Sequence, residues 1–209
     1  AIKLWSTLVC LFAFIPLQAQ IIVDQTLTAE EVVGTILLGE GVQIFNITFS
    51  GDLDQIGSFD ANNSNILIES GMIMATGSCV NVIGPNNSGS STTGGGNFGV
   101  NDPDLDQLST FNTNDAAVLE FDFIPTGDSL SFNYSFGSDE YNEYVCGSVN
   151  DAFGFFLSGP GINGPYSNNA INLAIIPETD GTPVTINSVN NGNVGSAGIA
   201  SNCAQVDPN

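Results

Sequence analysis

Cationic side chains are almost missing from this sequence, and that shortage limits what it can fold into. Against 22 Asp and Glu there is a single Lys, Lys3, and no Arg or His. Salt bridges therefore cannot organise the fold. Each carboxylate must be held by neutral donors, water, a proton or a metal ion. Charged residues make up only 11% of the chain, so acids are ordinary in number and it is the bases that are absent. An acidic surface of the halophilic kind is the plainer alternative. Nucleic acid is excluded as a partner, because its phosphates need cations to displace counterions. Anionic membrane surfaces are excluded on the same ground. Self-repulsion at a net charge of -21 calls for salt or divalent cations to relieve it.

The 209 residues suffice for one domain with a substantial core. Residues 1–19 read as a signal peptide. The apolar run LWSTLVCLFAFIPL (4–17) is short for a membrane span, and Gln18-Ala19-Gln20 offers cleavage after Ala19. A lipoprotein reading centred on Cys10 is weaker, since Val9 precedes it and the apolar run continues beyond. Residues 20–209 are then one exported domain with no Lys, Arg or His, carrying Cys79, Cys146 and Cys203. Export permits a disulfide, and the odd count leaves one thiol over or a partner beyond the last residue. The ending DPN, with no closing element, gives the expectation of a fragment.

Thr28-Ala29-Glu30-Glu31 has the form of a capping box, with Val32, Val33, Ile36 and Leu37 following at helical spacing and Gly39 ending a short helix. Most of the remainder reads as strands. In 117–125, Leu119, Phe121 and Phe123 alternate with Val118, Glu120 and Asp122; in 129–137, Leu130, Phe132, Tyr134 and Phe136 alternate with serines and an asparagine. Joined by Thr126-Gly127-Asp128, the two runs predict a hairpin with its apolar face inward. Further strands are expected at 42–49, 66–75, 152–158, 171–176 and 183–189. Short strands separated by Gly, Asn, Pro and Ser point to a mainly β, antiparallel sandwich with one short N-terminal helix. The stretch 84–102 reads as a long polar loop.

Two acidic constellations stand out. FGSDEYNEYVCGSVND (136–151) sets Asp139, Glu140, Glu143 and Asp151 around Cys146 with no base in reach. A turn converging them on Ca²⁺ suits their chemistry, since calcium takes 6–8 oxygens and zinc prefers His or thiolate. A solvated acidic loop explains the same residues. In NDPDLDQL (101–108), Asp102, Asp104 and Asp106 alternate, but the glycine and closing glutamate of an EF-hand are absent. The preferred reading is a helix start, with Asp102 as N-cap and Pro103 at the first position; Asp102 remains a weaker ligand for the same ion. Nucleophilic catalysis lacks a His or Lys base, which leaves only carboxylate-pair chemistry such as glycoside hydrolysis, with Asp139, Glu140 and Glu143 as candidates.

With these segments in view, the chain resembles the choice-of-anchor L domain of bacterial surface and secreted proteins. FGSDEYNEYVC (136–146) followed by VNDAFGFFLSGPG (149–161) carries the likeness. It is supported by GTILLGEGVQIFNITFSG (34–51), IGSFD (56–60), SGMIMATG (70–77), GPNNSG (84–89), DPDLDQLS (102–109), NDAAVLEFDFIP (114–125), GPYSNNAINLAIIP (164–177) and PVTINSVNNG (183–192). Asp139 stands where the family commonly has a glutamate. The resemblance implies an exported module, extracellular or on the outer cell surface, joined to varied C-terminal anchors. Many members are from the Bacteroidetes, where a type IX tail often follows; the resemblance gives the expectation that this chain is truncated before any such anchor. It implies adhesion or matrix roles and no established reaction. It also implies a Cys146–Cys203 disulfide, with Cys79 peculiar to this chain.

The expectation for function is a non-catalytic surface module with a structural or adhesive role, of jelly-roll type, stabilised by Ca²⁺. Its ligands would be Asp139, Glu140, Glu143 and Asp151, with Asn150 and Asp102 as weaker donors. Tyr141 and Tyr144 are candidate contacts to a surface glycan or matrix polymer. A carbohydrate-binding module and a carboxylate glycoside hydrolase are the alternatives.

Overall fold

A computed structural model describes residues 20–37, 42–86 and 101–203. The expected signal peptide at 1–19, with Lys3 and Cys10, and most of the polar loop expected at 84–102 lie outside the described residues. The fold is mainly β and antiparallel. One sheet has three strands: β1 (Gln20–Asp24), β3 (Ile56–Asn63) in the centre, and β4 (Ser70–Met74). Three two-stranded ladders accompany it. They pair β2 (Val42–Ser50) with β5 (Val118–Pro125), β6 (Ala152–Phe153) with β9 (Val184–Thr185), and β7 (Phe156–Leu157) with β8 (Ile171–Asn172).

The N-terminal helix forms as the capping box requires. The Thr28 hydroxyl accepts from the Glu31 amide at 3.2 Å, and the Glu31 carboxylate accepts from the Thr28 amide at 2.9 Å. Helix α1 (Ala29–Val32) widens into a π-type turn at Val33–Leu37, and Val32 and Val33 are fully buried. A second helix, α2 (Pro103–Ser109), starts as the Asp-Pro pair predicts. The Asp102 carboxylate accepts from the amides of Asp104 and Leu105, both at 2.9 Å.

Strand β2 shows why simple alternation breaks in mid-strand. Val42 and Ile44 are half-buried before Asn46, whereas Ile47 and Phe49 are half-buried after it. Between the pairs Phe45–Asp122 and Thr48–Glu120, β2 carries one residue more than β5. Asn46 takes up the bulge at φ 54°, and its amide donates to the Asp122 carboxylate at 2.7 Å. The inward set of β5 is the expected Leu119, Phe121 and Phe123.

The expected hairpin of 117–125 with 129–137 does not form. Strand β5 takes β2 as its ladder partner, and residues 129–137 form no described strand. Their alternating aromatic face is used for packing instead. Phe132 stacks on Phe155 at 4.2 Å between ring centroids and Tyr134 on Phe153 at 5.1 Å. The partners run in reverse order, so the segments lie antiparallel, side chain to side chain. That alignment carries Phe136 and Ser138 toward the residues just before β6.

The expected strands at 66–75, 152–158, 171–176 and 183–189 are each shorter than the sequence indicates, because turns and side-chain packing take their ends. Strand β3 was not expected at all. Its IGSFDANN sequence is poor in β-formers, and Gly57 is there because β1 passes close: a Cβ would sit 2.6 Å from the Asp24 carbonyl oxygen.

Candidate functional site

The acidic stretch is a run of tight turns rather than a strand. The Tyr144 amide donates to the Glu140 carbonyl at 3.0 Å and the Gly147 amide to that of Tyr144 at 2.6 Å. Val145 and Cys146 are thereby turned inward, where they pack with Ile186 as a buried cluster flanked by Phe136, Tyr141 and Cys203. Cys146 adopts φ 62° and is bonded to Cys203, with the Cα atoms 4.8 Å apart.

A strap of backbone holds the turns from outside. The amides of Gly195, Ala197 and Ile199 donate to the carbonyls of Val145, Glu143 and Cys146 at 2.9, 2.9 and 2.8 Å. The approach is so close that a Cβ on Gly195 would overlap the carbonyl oxygens of Asn142 and Glu143, and one on Gly198 that of Val145. Strap and disulfide together fix the turn backbone from two sides.

Two of the candidate carboxylates meet. The Ser138 hydroxyl bonds the Glu140 carboxylate and lies 3.3 Å from that of Asp151. It also accepts from the Glu140 amide at 3.2 Å. Burial, then the charge of Glu140 and a hydrogen bond shared with it, raise the Asp151 carboxyl to about 7; the charge of Asp139 adds a smaller part. Asp151 is thus held protonated well above the usual carboxylate range and begins to lose its proton near neutral pH. Tyr141 stands beside it, its hydroxyl donating to the Val189 carbonyl. Burial and the charges of Asp151 and Glu140 push that phenol up to about 12.

The remaining candidates are placed elsewhere. Glu143 is exposed and lines a shallow cleft with Asn142 and residues 193–196. Asn150 is a structural tie: its amide nitrogen donates to the Ser109 carbonyl at 2.8 Å and its oxygen accepts from the Asn187 amide at 2.9 Å. Asp102 is engaged in capping α2. Tyr141 is half-buried with its hydroxyl spoken for, and Tyr144 is also half-buried. Among the described residues, no three His, Cys, Asp or Glu side chains converge closely enough to hold a metal ion by themselves. Cys79 is buried and free, its thiol raised to about 12 mainly by burial, so it is inert.

Sequence reasoning missed Ser138, the strap, and the buried docking role of Asp104. Ser138 lies within the quoted motif, and only its placement two residues before Glu140 hinted at an ST-turn. Asp104 is buried, and both its oxygens accept from the Ser167 amide at 3.1 Å, docking α2 onto the loop before β8.

No helix among the described residues is long and apolar enough to cross a membrane. No curated protein and no solved structure matches the chain. The profile of the Choice-of-anchor L domain matches residues 20–209, which span every described element from β1 to the Cys146–Cys203 bridge. That family is one of surface-associated modules and is not a known enzyme family. On this match the chain belongs to the choice-of-anchor L domain family.

Proposed function

We propose that this chain is an exported, non-catalytic display module whose acidic turn is closed by a proton at low pH and by Ca²⁺ at neutral pH. The Glu140–Ser138–Asp151 cluster carries the reading. It gathers two carboxyls in partly buried surroundings within residues 20–209, a span that contains no cationic side chain. Calcium accepts carboxylates together with hydroxyl, backbone and water oxygens, so two carboxylates and Ser138 form a workable core. Asp139 and Glu143 would add negative field. Asn150 and Asp102 are secondary, since their oxygens already accept backbone amides.

The module's role is structural and adhesive, toward surface glycans or a matrix polymer. A stiff turn anchored by strap and disulfide suits display, and the small antiparallel sheets suit a jelly-roll arrangement. The glycosidase alternative is not favoured by this pair, because one hydroxyl bridges both carboxyls. Glycosidase carboxyls stand about 5–9.5 Å apart with a sugar between them.

Thermal unfolding of residues 20–209 in CaCl₂, MgCl₂ or EDTA at equal ionic strength tests the calcium claim. A rise of several degrees in calcium alone is expected, because an ion that binds only the native state stabilises it. The increment should vanish in the Glu140→Gln, Asp151→Asn double variant. Equal melting in all three buffers would remove calcium from the account.

A further inference from the structure

The cleft beside the acidic turn has a chemistry of its own. It is formed where residues 142–143 face the strap, is shallow and open with a volume of about 280 Å³, and is lined by Asn142, Glu143, Asn193, Val194, Gly195 and Ser196. Its walls are held by the three strap hydrogen bonds and by the close contact that requires glycine at 195. The Asn142 side-chain oxygen accepts from the Asn191 side-chain NH₂ at 3.2 Å, and no hydrogen bond from its own NH₂ group to the described residues is formed. The Glu143 carboxylate and Ser196 hydroxyl make no hydrogen bond with the described residues. Val194 is exposed and adds an apolar patch beside these polar groups.

We infer that this cleft binds a single pyranose unit of a neutral polysaccharide. The inference rests on the display reading above and names its partner. Vicinal hydroxyls are donors and acceptors at once, matching a carboxylate acceptor, an amide donor and a hydroxyl on one rim, while Val194 meets the C–H face of the ring. The volume lies just below the ~300–1,000 Å³ usual for drug-sized ligands, room for one ring rather than a large cofactor. Its open side lets a polymer run through. A net charge of -21, with the only cation at Lys3, turns away uronate, sulfate and phosphate polymers. One carboxylate is poor provision for a divalent cation, which separates this cleft from the acidic pair.

The test is calorimetric titration of residues 20–209 with soluble hexasaccharides of cellulose, xylan, mannan and α-glucan, with oligogalacturonate as the anionic control. Saturable binding of at least one neutral oligosaccharide is expected, and none of oligogalacturonate. Glu143→Gln should weaken binding about tenfold, the loss of a charge-assisted hydrogen bond. Ser196→Leu, which fills the cleft, should weaken it at least as much. Both positions are exposed, so the melting temperature should not move. Failure of every neutral oligosaccharide, equal binding of oligogalacturonate, or affinity untouched by both variants would overturn the inference. Melting in calcium and EDTA is read on the same samples. A calcium increment without sugar binding strikes the cleft alone, and sugar binding without the increment strikes the acidic-turn reading alone.

Discussion

Gln55 is fully buried, and both ends of its amide have backbone partners. Its nitrogen donates to the Thr76 and Asp115 carbonyls at 3.0 and 2.7 Å, and its oxygen accepts from the Asp52 amide at 2.7 Å. Within residues 20–209, which hold no Lys, Arg or His, one neutral side chain here joins three segments. Gln55→Ala would leave those groups unpaired and should cost about 2–4 kcal/mol in urea unfolding. Gln55→Glu should cost more above neutral pH, since a carboxylate cannot donate to either carbonyl. Asp151 is the opposite case, a buried acid opposed by acids. Its folded pKa is raised, so its contribution is fully present below about 4, where the unfolded chain is also protonated. It is lost as pH rises toward about 7, because the unfolded chain releases the proton first. The loss is of the order of a few kcal/mol. Asp151→Asn should flatten the stability profile between these limits and raise stability in EDTA at pH 8. An unchanged slope would show that Asp151 is ionised throughout.

At the scale of elements, the capping signals were the most legible, because they are local. Thr28 and Glu31, and Asp102 with Pro103, need nothing beyond their own turn, and both helices start where these residues place them. Alternation was legible in β2 and β5, but their pairing was not. Residues 129–137 carry the same period as a strand, and only the position of Phe153 and Phe155 decides that this face packs rather than joins a ladder. Within the candidate site, the sequence shows four acids around Cys146 but not which of them meet. That depends on the antiparallel run of 132–138 against 151–155, which brings Glu140 to Asp151 and leaves Glu143 outside. The strap was invisible for a similar reason: Gly195 and Gly198 are two of 24 glycines, and their purpose lies in carbonyls some fifty residues earlier. Gly195→Ala should push the strap off Asn142 and Glu143 and lower stability by about 1–3 kcal/mol, more than Gly127→Ala, whose Cβ meets nothing within 4 Å. Denaturation of the two variants side by side checks this. The Cys146–Cys203 bridge spans 57 residues and contributes about 4 kcal/mol in the chain-entropy model, so the Cys146→Ala, Cys203→Ala pair should unfold at clearly lower urea.

At the scale of the molecule, the lack of Lys, Arg and His in residues 20–209 means that carboxylates are satisfied one at a time. Asp24 and Asp106 are lowered by hydrogen bonds from Thr26 and Thr113, and Asp104 takes the Ser167 amide. Among the described residues, the Glu140–Asp151 pair stands out as acids opposed to each other, at the place where strap, disulfide and the 132–138 segment converge. Its neutralisation is therefore what we propose the stability of the turn depends on. The measurement that tests it is urea unfolding of residues 20–209 at pH 5 and pH 8, each in CaCl₂ and in EDTA. High stability is expected at pH 5 in both buffers, where the proton is already in place. A marked loss is expected at pH 8 in EDTA and recovery at pH 8 in calcium, with Asp151→Asn insensitive to the change of buffer. Equal stability in all four conditions would mean that the pair needs neither proton nor calcium.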